Sequence, residues 1–365
     1  MTSRQDAQPT VEPVLGCLLG TAYGDALGLP YEGVSAQRAA RLLGPPDRFR
    51  LLAGRGMLSD DTEHSLMVAL ALNESTFDPD RFAKRLAAHL RLWFLALPAG
   101  LGMATLRSGL KLCVGFPPHR SGVYSAGNGP AMRAPLLGVV AEDPVHLDKL
   151  VTASTVLTHT DPKACAGAKA VAFATYLGVR DDLTDREALA DRFIEAVNSH
   201  ISEGGETLLP LLSKAAESAA AGQSTEQFAA DIGLAKGISG YIEHTVPVCV
   251  HAWLAFRHQL QDAVQATVKL GGDADTTAAI VGGMCGVLAA REDPTAFARL
   301  KLDQVVDWPW SLARIRALAA ALVSARRACL SVPAPRPLWL LRLPRNIIFL
   351  LIVLVHGLRR LLPPY

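Results

Sequence analysis

Two short acidic stretches contain the residues best suited to chemistry. Residues 59–62 read Ser-Asp-Asp-Thr, and residues 271–277 read Gly-Gly-Asp-Ala-Asp-Thr-Thr. Neighbouring carboxylates repel one another unless a cation or hydrogen-bond donors hold them. Carboxylate and hydroxyl oxygens are the ligands that hard divalent cations prefer. The two stretches together could therefore form an all-oxygen site for divalent metal ions.

The same stretches also suit the starts of helices. Each precedes an apolar run, and the free N–H groups and positive dipole end of a helix start stabilise a carboxylate. Capping explains a single aspartate at each place. It does not explain paired carboxylates at two separate places, so a metal site is favoured and plain capping is the alternative.

The elements that would position these residues are helices. The segment 144–157 repeats apolar residues with a 3.6-residue period, and no run of alternating β-branched residues indicates a sheet. The pattern predicts an all-α fold, a single globular multi-helix bundle. Helices are predicted near residues 62–74, 79–96, 101–112, 130–139, 144–157, 163–178, 184–201, 206–221, 224–231, 243–257, 259–268, 276–290 and 309–329.

A glycine recurs every four residues in the first apolar segment, residues 14–29, which Pro30 ends. This spacing places the glycines near one helix face, where another backbone can approach closely. Helix pairs in membranes use similar spacing, but Asp25 and the short length favour a buried helix in a soluble protein. Asp25 could belong to the site or could simply satisfy backbone donors.

Residues 115–129 predict a structured loop, because they are too rich in Gly and Pro for a helix and too long for a simple turn. The loop ends in Gly127-Asn128-Gly129 before a helix whose free N–H groups could hold a phosphate; a plain turn is the alternative. Asp161-Pro162 is typical of a helix start. His159 beside it could therefore be a core or capping histidine.

Composition limits the class of protein. The net charge is +2 and the charges are dispersed, so no specific nucleic-acid binding is indicated. The six cysteines include no C-x-x-C pair, which favours reduced thiols in a cytosolic protein. The polar start of the chain has no apolar signal segment, so we expect a cytoplasmic location. We expect a disordered N-terminus (1–12), one domain (13–330) and a distinct C-terminal tail (331–365).

The tail differs from the rest of the chain in composition. It has five arginines and no acidic residue, and its uncharged run, residues 346–358, is 13 residues long. A helix needs about 20 apolar residues to span a bilayer, and Arg342, Pro344 and Arg345 interrupt any longer span. With Trp339 and Tyr365 near its ends, the tail favours peripheral attachment to the cytoplasmic membrane face through residues 337–362. A helix packed on the body is the alternative.

Five motifs follow one another along the chain. They are Gly24-Asp25-Ala26-Leu27-Gly28 with Glu32, Ser59-Asp60-Asp61-Thr62, Gly127-Asn128-Gly129 with Ala131-Met132-Arg133, His159-Thr160-Asp161, and Gly271-Gly272-Asp273-Ala274-Asp275-Thr276. In this order they resemble the ADP-ribosylglycohydrolase family. They cover about residues 13–290, and the tail has no counterpart in the family pattern. The resemblance implies an all-α fold, a centre of two Mg²⁺ or Mn²⁺ ions, and hydrolysis of the ribosyl C1″ bond of an ADP-ribosylated protein or related ADP-ribose conjugate.

The resemblance also implies roles for individual residues. The metal ligands would be Ser59, Asp60, Asp61, Asp273, Asp275 and Thr276, with Ser59 where the family usually has Thr. Glu32 would govern catalysis together with Asp60 and Asp61, although an ordinary loop carboxylate is the alternative. Gly127, Asn128, Gly129 and His159 would bind ADP-ribose. A catalytically silent relative that binds ADP-ribose, or has a structural role, is the second function class.

Overall fold

The computed structural model describes residues 10–180, 185–293 and 295–360, except for the side chain of Trp339. These residues form nineteen α-helices and one sheet of two short strands, so the predicted all-α fold is confirmed. Most of the N-terminus that we expect to be disordered, and Tyr365, lie outside the described residues. The first helix begins at Val11 after its N-cap Thr10, so residues 11 and 12 are helical and the expectation of disorder is wrong for them.

The helices follow one another with short connections. They are α1 Val11–Gly28, α2 Ala36–Leu42, α3 Asp60–Ser75, α4 Pro79–Leu95, α5 Met103–Cys113, α6 Pro118–Ser121, α7 Gly129–Met132, α8 Pro135–Val140, α9 Pro144–Thr155, α10 Pro162–Arg180, α11 Arg186–His200, α12 Leu208–Ala220, α13 Thr225–Asp231, α14 Ile242–Phe256, α15 Leu260–Val268, α16 Ala274–Glu292, α17 Ala296–Arg299, α18 Leu312–Ala328 and α19 Trp339–Arg359. The strands are β1 Val34–Ser35 and β2 Gly271–Gly272.

Two helical predictions need correction. The segment 130–139 is two helices, α7 and α8, because Pro135 lacks the N–H that a continuous helix would need at that place. In the tail, Pro344 lies inside α19 and does not interrupt it, so the helix has 21 residues. The short helices α2, α6 and α17 are absent from the predicted set.

Helices α1 and α16 pack backbone against backbone at the centre of the molecule. A Cβ atom built on Gly20 would lie 2.0 Å from the carbonyl oxygen of Gly282, and one on Gly24 would lie 2.0 Å from that of Ala278. The regular glycine spacing therefore serves a buried helix pair. The pairing is antiparallel, because Gly16 meets Gly286 while Gly28 meets Ala274. The end of α1 thus lies beside the start of α16.

The two-stranded sheet positions the loop after α1. Val34 pairs with Gly272 and Ser35 with Gly271 in an antiparallel register. The N–H of Gly33 also donates to the carbonyl of Gly272 at 2.7 Å. Both β2 residues have positive φ, +70° and +77°, which glycine adopts without steric cost. The sheet holds Glu32 close to the second acidic stretch.

A carboxylate-lined cleft as the candidate active site

A cavity of about 580 Å³ opens where these elements meet. Four carboxylates line it, those of Glu32, Asp60, Asp273 and Asp275, and the hydroxyl of Thr276 lies among them. Two distant parts of the sequence therefore come together in one cleft, as the acidic stretches predict. The cleft is also lined by the loop that contains Asn128 and by His159.

Asp25 holds the first acidic stretch in place through hydrogen bonds. It is fully buried, and its carboxylate accepts hydrogen bonds from the backbone N–H of Ser59 at 2.9 Å and of Thr62 at 3.2 Å. The hydroxyl of Thr62 donates to the same carboxylate. Asp25 therefore satisfies backbone donors, as the alternative interpretation expects, and it does so at the start of α3.

Ser59 is the N-cap of α3. Its hydroxyl oxygen accepts from the N–H of Asp61 at 3.3 Å and lies 3.3 Å from the Asp61 carboxylate, to which it donates. The side chain is buried, with 4% exposure. The cap directs Asp60 into the cleft, whereas Ser59 and Asp61 are more deeply buried. The role of Ser59 as a metal ligand stays a prediction.

The two acidic stretches contact each other directly. The hydroxyl of Thr276 donates to the Asp61 carboxylate at 3.2 Å and so links the start of α16 to the start of α3. On the other side, the amide of Asn128 donates to the Asp273 carboxylate at 2.5 Å and contacts the Thr245 hydroxyl at 3.0 Å. Asn128 thus connects the predicted ADP-ribose loop to the predicted metal ligands.

Burial and mutual repulsion perturb all the carboxylates of the cleft. Burial raises the pKa of Asp60, Asp61 and Asp275 well above the usual value, and neighbouring carboxylates raise it further. The pKa values of Glu32 and Asp273 are also raised, mainly by burial. Such a cluster of negative groups in a low-dielectric site favours either protonation or a bound cation.

The donor set fits a hard divalent cation. One carboxylate oxygen of Asp61 and one of Asp275 are buried without a hydrogen-bond partner, and unpaired buried acceptors of this kind are costly. Among the described residues, no three His, Cys, Asp or Glu side chains by themselves enclose a single ion. The remaining ligands would therefore be hydroxyl groups, water or substrate, which Mg²⁺ and Mn²⁺ accept.

The predicted ADP-ribose loop lies against His159. A Cβ on Gly127 would come within 3.0 Å of the His159 ring, and one on Gly129 within 2.9 Å, so larger residues would force the ring aside. Burial lowers the pKa of His159 to about 3, with a further contribution from Arg133, so the ring is neutral. Helix α7 after the loop is a single turn, so a phosphate site there gains little from a helix dipole.

Arg133 is a buried residue to which the sequence assigns no role. Its guanidinium donates to the carbonyl of Gly129 at 3.0 Å and to the hydroxyl of Thr158 at 2.7 Å. Thr158 in turn contacts the His159 ring at 2.9 Å. Arg133 therefore fixes both the loop and the histidine. Its place in the motif after Gly129 was the only signal in the sequence.

Two rim segments also have no recognised signal in the sequence. Residues 100–105, before and within α5, form one side of the cleft, and residues 238–240 form another. The carbonyl of Gly240 accepts from the N–H of Asn128 at 2.9 Å. These segments reach the cleft only through long-range packing, which local patterns do not reveal.

Comparisons with known proteins agree with this geometry. A family model described as ADP-ribosylglycohydrolase matches residues 6–329. A protein of Archaeoglobus fulgidus, named only as uncharacterized, is 30% identical over 285 residues, covering 75% of this chain and 87% of the relative. The ADP-ribosyl-[dinitrogen reductase] glycohydrolase of Rhodospirillum rubrum is 27% identical over 305 residues, covering 80% and 91%. The ADP-ribosylhydrolase ARH3 of Gallus gallus is 27% identical over 326 residues, covering 76% and 85%.

A solved structure supports the fold. It is named as an ADP-ribosylglycohydrolase-related protein complex and superposes with a TM-score of 0.58 and 24% identity, covering 87% of this chain and 98% of that one. The family model spans the cleft and all the predicted site residues, and it ends before α19. Because the family model matches most of its length, this chain belongs to the ADP-ribosylglycohydrolase family.

Proposed function

We propose that this protein is a metal-dependent hydrolase that cleaves the ribosyl C1″ bond of an ADP-ribosylated protein or a related ADP-ribose conjugate. Family membership supports an ADP-ribosylated substrate. The observation that supports metal dependence is the meeting of two acidic stretches in one cleft, with unpaired carboxylate oxygens on Asp61 and Asp275.

In this proposal, two Mg²⁺ or Mn²⁺ ions would be held by the aspartates of both stretches. The ligands would be Asp60 and Asp61 from the start of α3, Asp273 and Asp275 from the start of α16, and the hydroxyls of Thr276 and Ser59. Bound metal would supply positive charge for orienting the ribose hydroxyls and for acidifying a water molecule. Ser59 would act mainly through the position of Asp61, because its hydroxyl already contacts that side chain.

Glu32 is the proposed proton acceptor. It lines the cleft together with Asp60, Asp273 and Asp275, just before β1, and burial raises its pKa. A carboxylate within hydrogen-bond reach of a water molecule can act as its general base. Glu32 would take a proton from the attacking water or return one to the departing atom as the C1″ bond breaks. Asp60 and Asp61 would hold the reacting groups beside it.

The ADP-ribose part of the substrate would lie against the wall of the cleft that contains residues 127–129. Gly127 and Gly129 leave room for the neutral ring of His159, and all three residues line the cleft. Asn128 would orient Asp273 with its side-chain amide. The acceptor bonded to C1″ would lie toward the solvent, beyond the rim formed by residues 100–105.

The test is release of free ADP-ribose from a panel of ADP-ribosylated arginine, serine and small-molecule conjugates, with Mg²⁺ and with Mn²⁺. We expect release by the native protein and its near-complete loss in Asp275→Asn. Asp191→Asn, at an exposed position on α11, is the matched control and should retain activity. Binding of ADP-ribose without release from any conjugate would instead favour the silent relative.

A cytoplasmic location is part of the same proposal. All six cysteines are free, and three of them, Cys17, Cys249 and Cys285, are buried. Unpaired thiols are typical of proteins in a reducing compartment. Fractionation of the producing cells, with thiol labelling of the soluble and membrane fractions, would test the location.

A further inference from the structure

Helix α19 lies outside the family match and packs on the body with its polar side. Arg345 is 2% exposed, and its guanidinium forms an ion pair with Asp307 at 2.6 Å and donates to the carbonyl of Leu58. Asn346 donates to the carbonyl of Ala96 at 2.8 Å. One buried contact of this half of the helix therefore lies directly before Ser59, at the start of the first acidic stretch.

The other half of α19 contacts the loop that contains Glu32. The ring of His356 lies 3.0 Å from the carbonyl of Pro30. Arg360, the residue after the helix, donates to the same carbonyl at 2.9 Å and to the carbonyl of Glu32. Phe349 is the main apolar residue on this inner face and is buried against a small cluster of body residues.

The outer face of α19 is apolar and exposed. Leu354 is 53% exposed and Val355 is 67% exposed. Surface helices of soluble proteins normally show the reverse arrangement, with the apolar stripe facing the core. The exposed apolar residues of α19 are Leu340, Leu341, Leu343, Ile347, Ile348, Leu350, Leu351, Leu354, Val355 and Leu358.

This apolar surface continues onto the body. Leu92, Leu95 and Leu97, at and after the end of α4, are each exposed by 47% or more, and they adjoin Ala96, which Asn346 contacts. The buried polar contacts prevent α19 from turning its apolar side inward, because Arg345 and Asn346 would lose their partners. An apolar surface of this extent indicates an interaction site.

Charge indicates which partner covers it. Neither α19 nor α2, which lies near its C-terminal end, contains an acidic residue, and the exposed Arg359 lies in the same region. Contact between two copies of this face would bring together surfaces of the same charge. Anionic lipid headgroups complement it instead.

We propose that the outer face of α19 docks on an anionic lipid bilayer, with the helix parallel to the bilayer surface and its polar face still bound to the body. By length and composition, Leu340–Arg359 is apolar enough to cross a membrane, and 28% of that segment is buried against the body. A crossing helix would place Arg345, Asn346 and His356 in hydrocarbon, away from their present partners. A helix lying in the interface keeps those contacts.

The docked arrangement has a consequence for the cleft. Helix α19 extends from Ala96, four residues before the rim residue Gly100, to the backbone of Glu32, and the cleft lining contains no described residue of α19. The bilayer would therefore be bound without any cleft residue taking part in the contact. Binding to lipid and hydrolysis of a soluble substrate should be separable by substitution.

The test is flotation of the full-length protein with vesicles of phosphatidylcholine alone and of phosphatidylcholine with phosphatidylglycerol. We expect binding to the anionic vesicles, and the double substitution Leu351→Glu with Leu354→Glu should weaken it on the order of tenfold or more. The double substitution Val114→Glu with Val145→Glu changes charge equally at exposed apolar positions outside α19 and should leave binding unchanged. Both variants should retain the native melting temperature.

Sedimentation of the same proteins without lipid tests the competing possibility, that a second copy of the chain covers the outer face of α19. We expect the native protein and the α19 variant to have the same oligomeric state. Failure to bind anionic vesicles, or binding that Leu351→Glu with Leu354→Glu leaves unchanged, would overturn the proposal. A dimer that this variant converts to monomers, without any vesicle binding by the native protein, would overturn it in favour of a second copy of the chain.

Discussion

At the scale of single residues, the site is a balance between buried negative charge and the groups that hold it. Asp25 and Ser59 use their oxygen atoms to fix the start of α3. Asp61 and Asp275 each retain an unpaired buried oxygen. Asp25 and Ser59 therefore hold the start of α3, to which the proposal adds metal ligation by Ser59, and Asp61 and Asp275 have oxygens available for a cation. Substitutions that remove similar side chains should accordingly have different effects.

Asp275→Ala should weaken metal binding and leave the fold intact. We expect loss of at least one metal ion per chain, measured by elemental analysis, and a much smaller rise in melting temperature on adding Mn²⁺. Without metal, the melting temperature should be unchanged or higher, because one of several mutually repelling carboxylates is gone. Native metal content in the variant would contradict the proposed site.

Glu32→Gln should reduce turnover and leave metal content unchanged, because Glu32 is proposed to move a proton. Loss of a general base typically costs about 10²–10⁴ in rate. The comparison is single-turnover release of ADP-ribose beside Glu226→Gln, an exposed position on α13. Full activity in Glu32→Gln would return the residue to the role of an ordinary loop carboxylate.

Substitutions of Ser59 distinguish helix capping from metal ligation. Ser59→Ala removes the N-cap of α3 and should lower the free energy of unfolding by about 1 kcal/mol even in a chelating buffer. Ser59→Thr keeps the hydroxyl and should retain stability and activity. Denaturant unfolding with and without Mg²⁺ makes the comparison. If Ala and Thr were equally stable without metal, the cap would contribute nothing.

At the scale of elements, two antiparallel helices in backbone contact determine where the acidic stretches meet. The four-residue spacing of glycines in α1 predicts a close approach, and α16 provides the partner surface. Once these helices are paired, Gly28 lies next to Asp275, so the loop after α1 places Glu32 beside the second acidic stretch. The helix contact is thus a condition for the cleft.

Gly20→Ala tests that contact. The added methyl group would lie 2.0 Å from the Gly282 carbonyl oxygen, and overpacking of a core costs about 1–3 kcal/mol or more. Gly178→Ala, in α10, is the control, because its nearest neighbour would be 3.6 Å away, at the end of a Leu288 side chain. Thermal unfolding should show a marked loss only for Gly20→Ala; equal effects would contradict the proposed importance of the close contact.

Much of the fold could be predicted because its signals are local. Apolar periodicity indicates the long helices, and the paired aspartates at 60–61 and at 273 and 275 indicate the acidic cleft. The β1–β2 pair, the Arg133 network and the Arg345–Asp307 ion pair could not be predicted, since each joins residues far apart in sequence. The break between α7 and α8 had a local signal, Pro135, but the apolar pattern continues through it and hides it.

At the scale of the whole molecule, one helical body presents a carboxylate-lined cleft, and a C-terminal helix beyond the family match packs on that body. The composition of the sequence predicts that the tail is separate from the rest of the chain. The structure instead packs α19 against Leu58, Pro30 and Glu32 through polar contacts. The expectation of a body-packed helix therefore holds for the polar face of α19, and the proposed bilayer contact concerns its opposite, apolar face.

The most direct test of the central claim is release of ADP-ribose before and after removal of metal. The full-length protein is assayed on the conjugate it cleaves best, then after treatment with EDTA and gel filtration, and again after adding Mg²⁺ or Mn²⁺. We expect release to disappear with the metal and to return with at least one of the two ions, while the circular dichroism spectrum stays constant. Undiminished release from the metal-free protein would contradict a metal-dependent hydrolase built on Asp60, Asp61, Asp273 and Asp275.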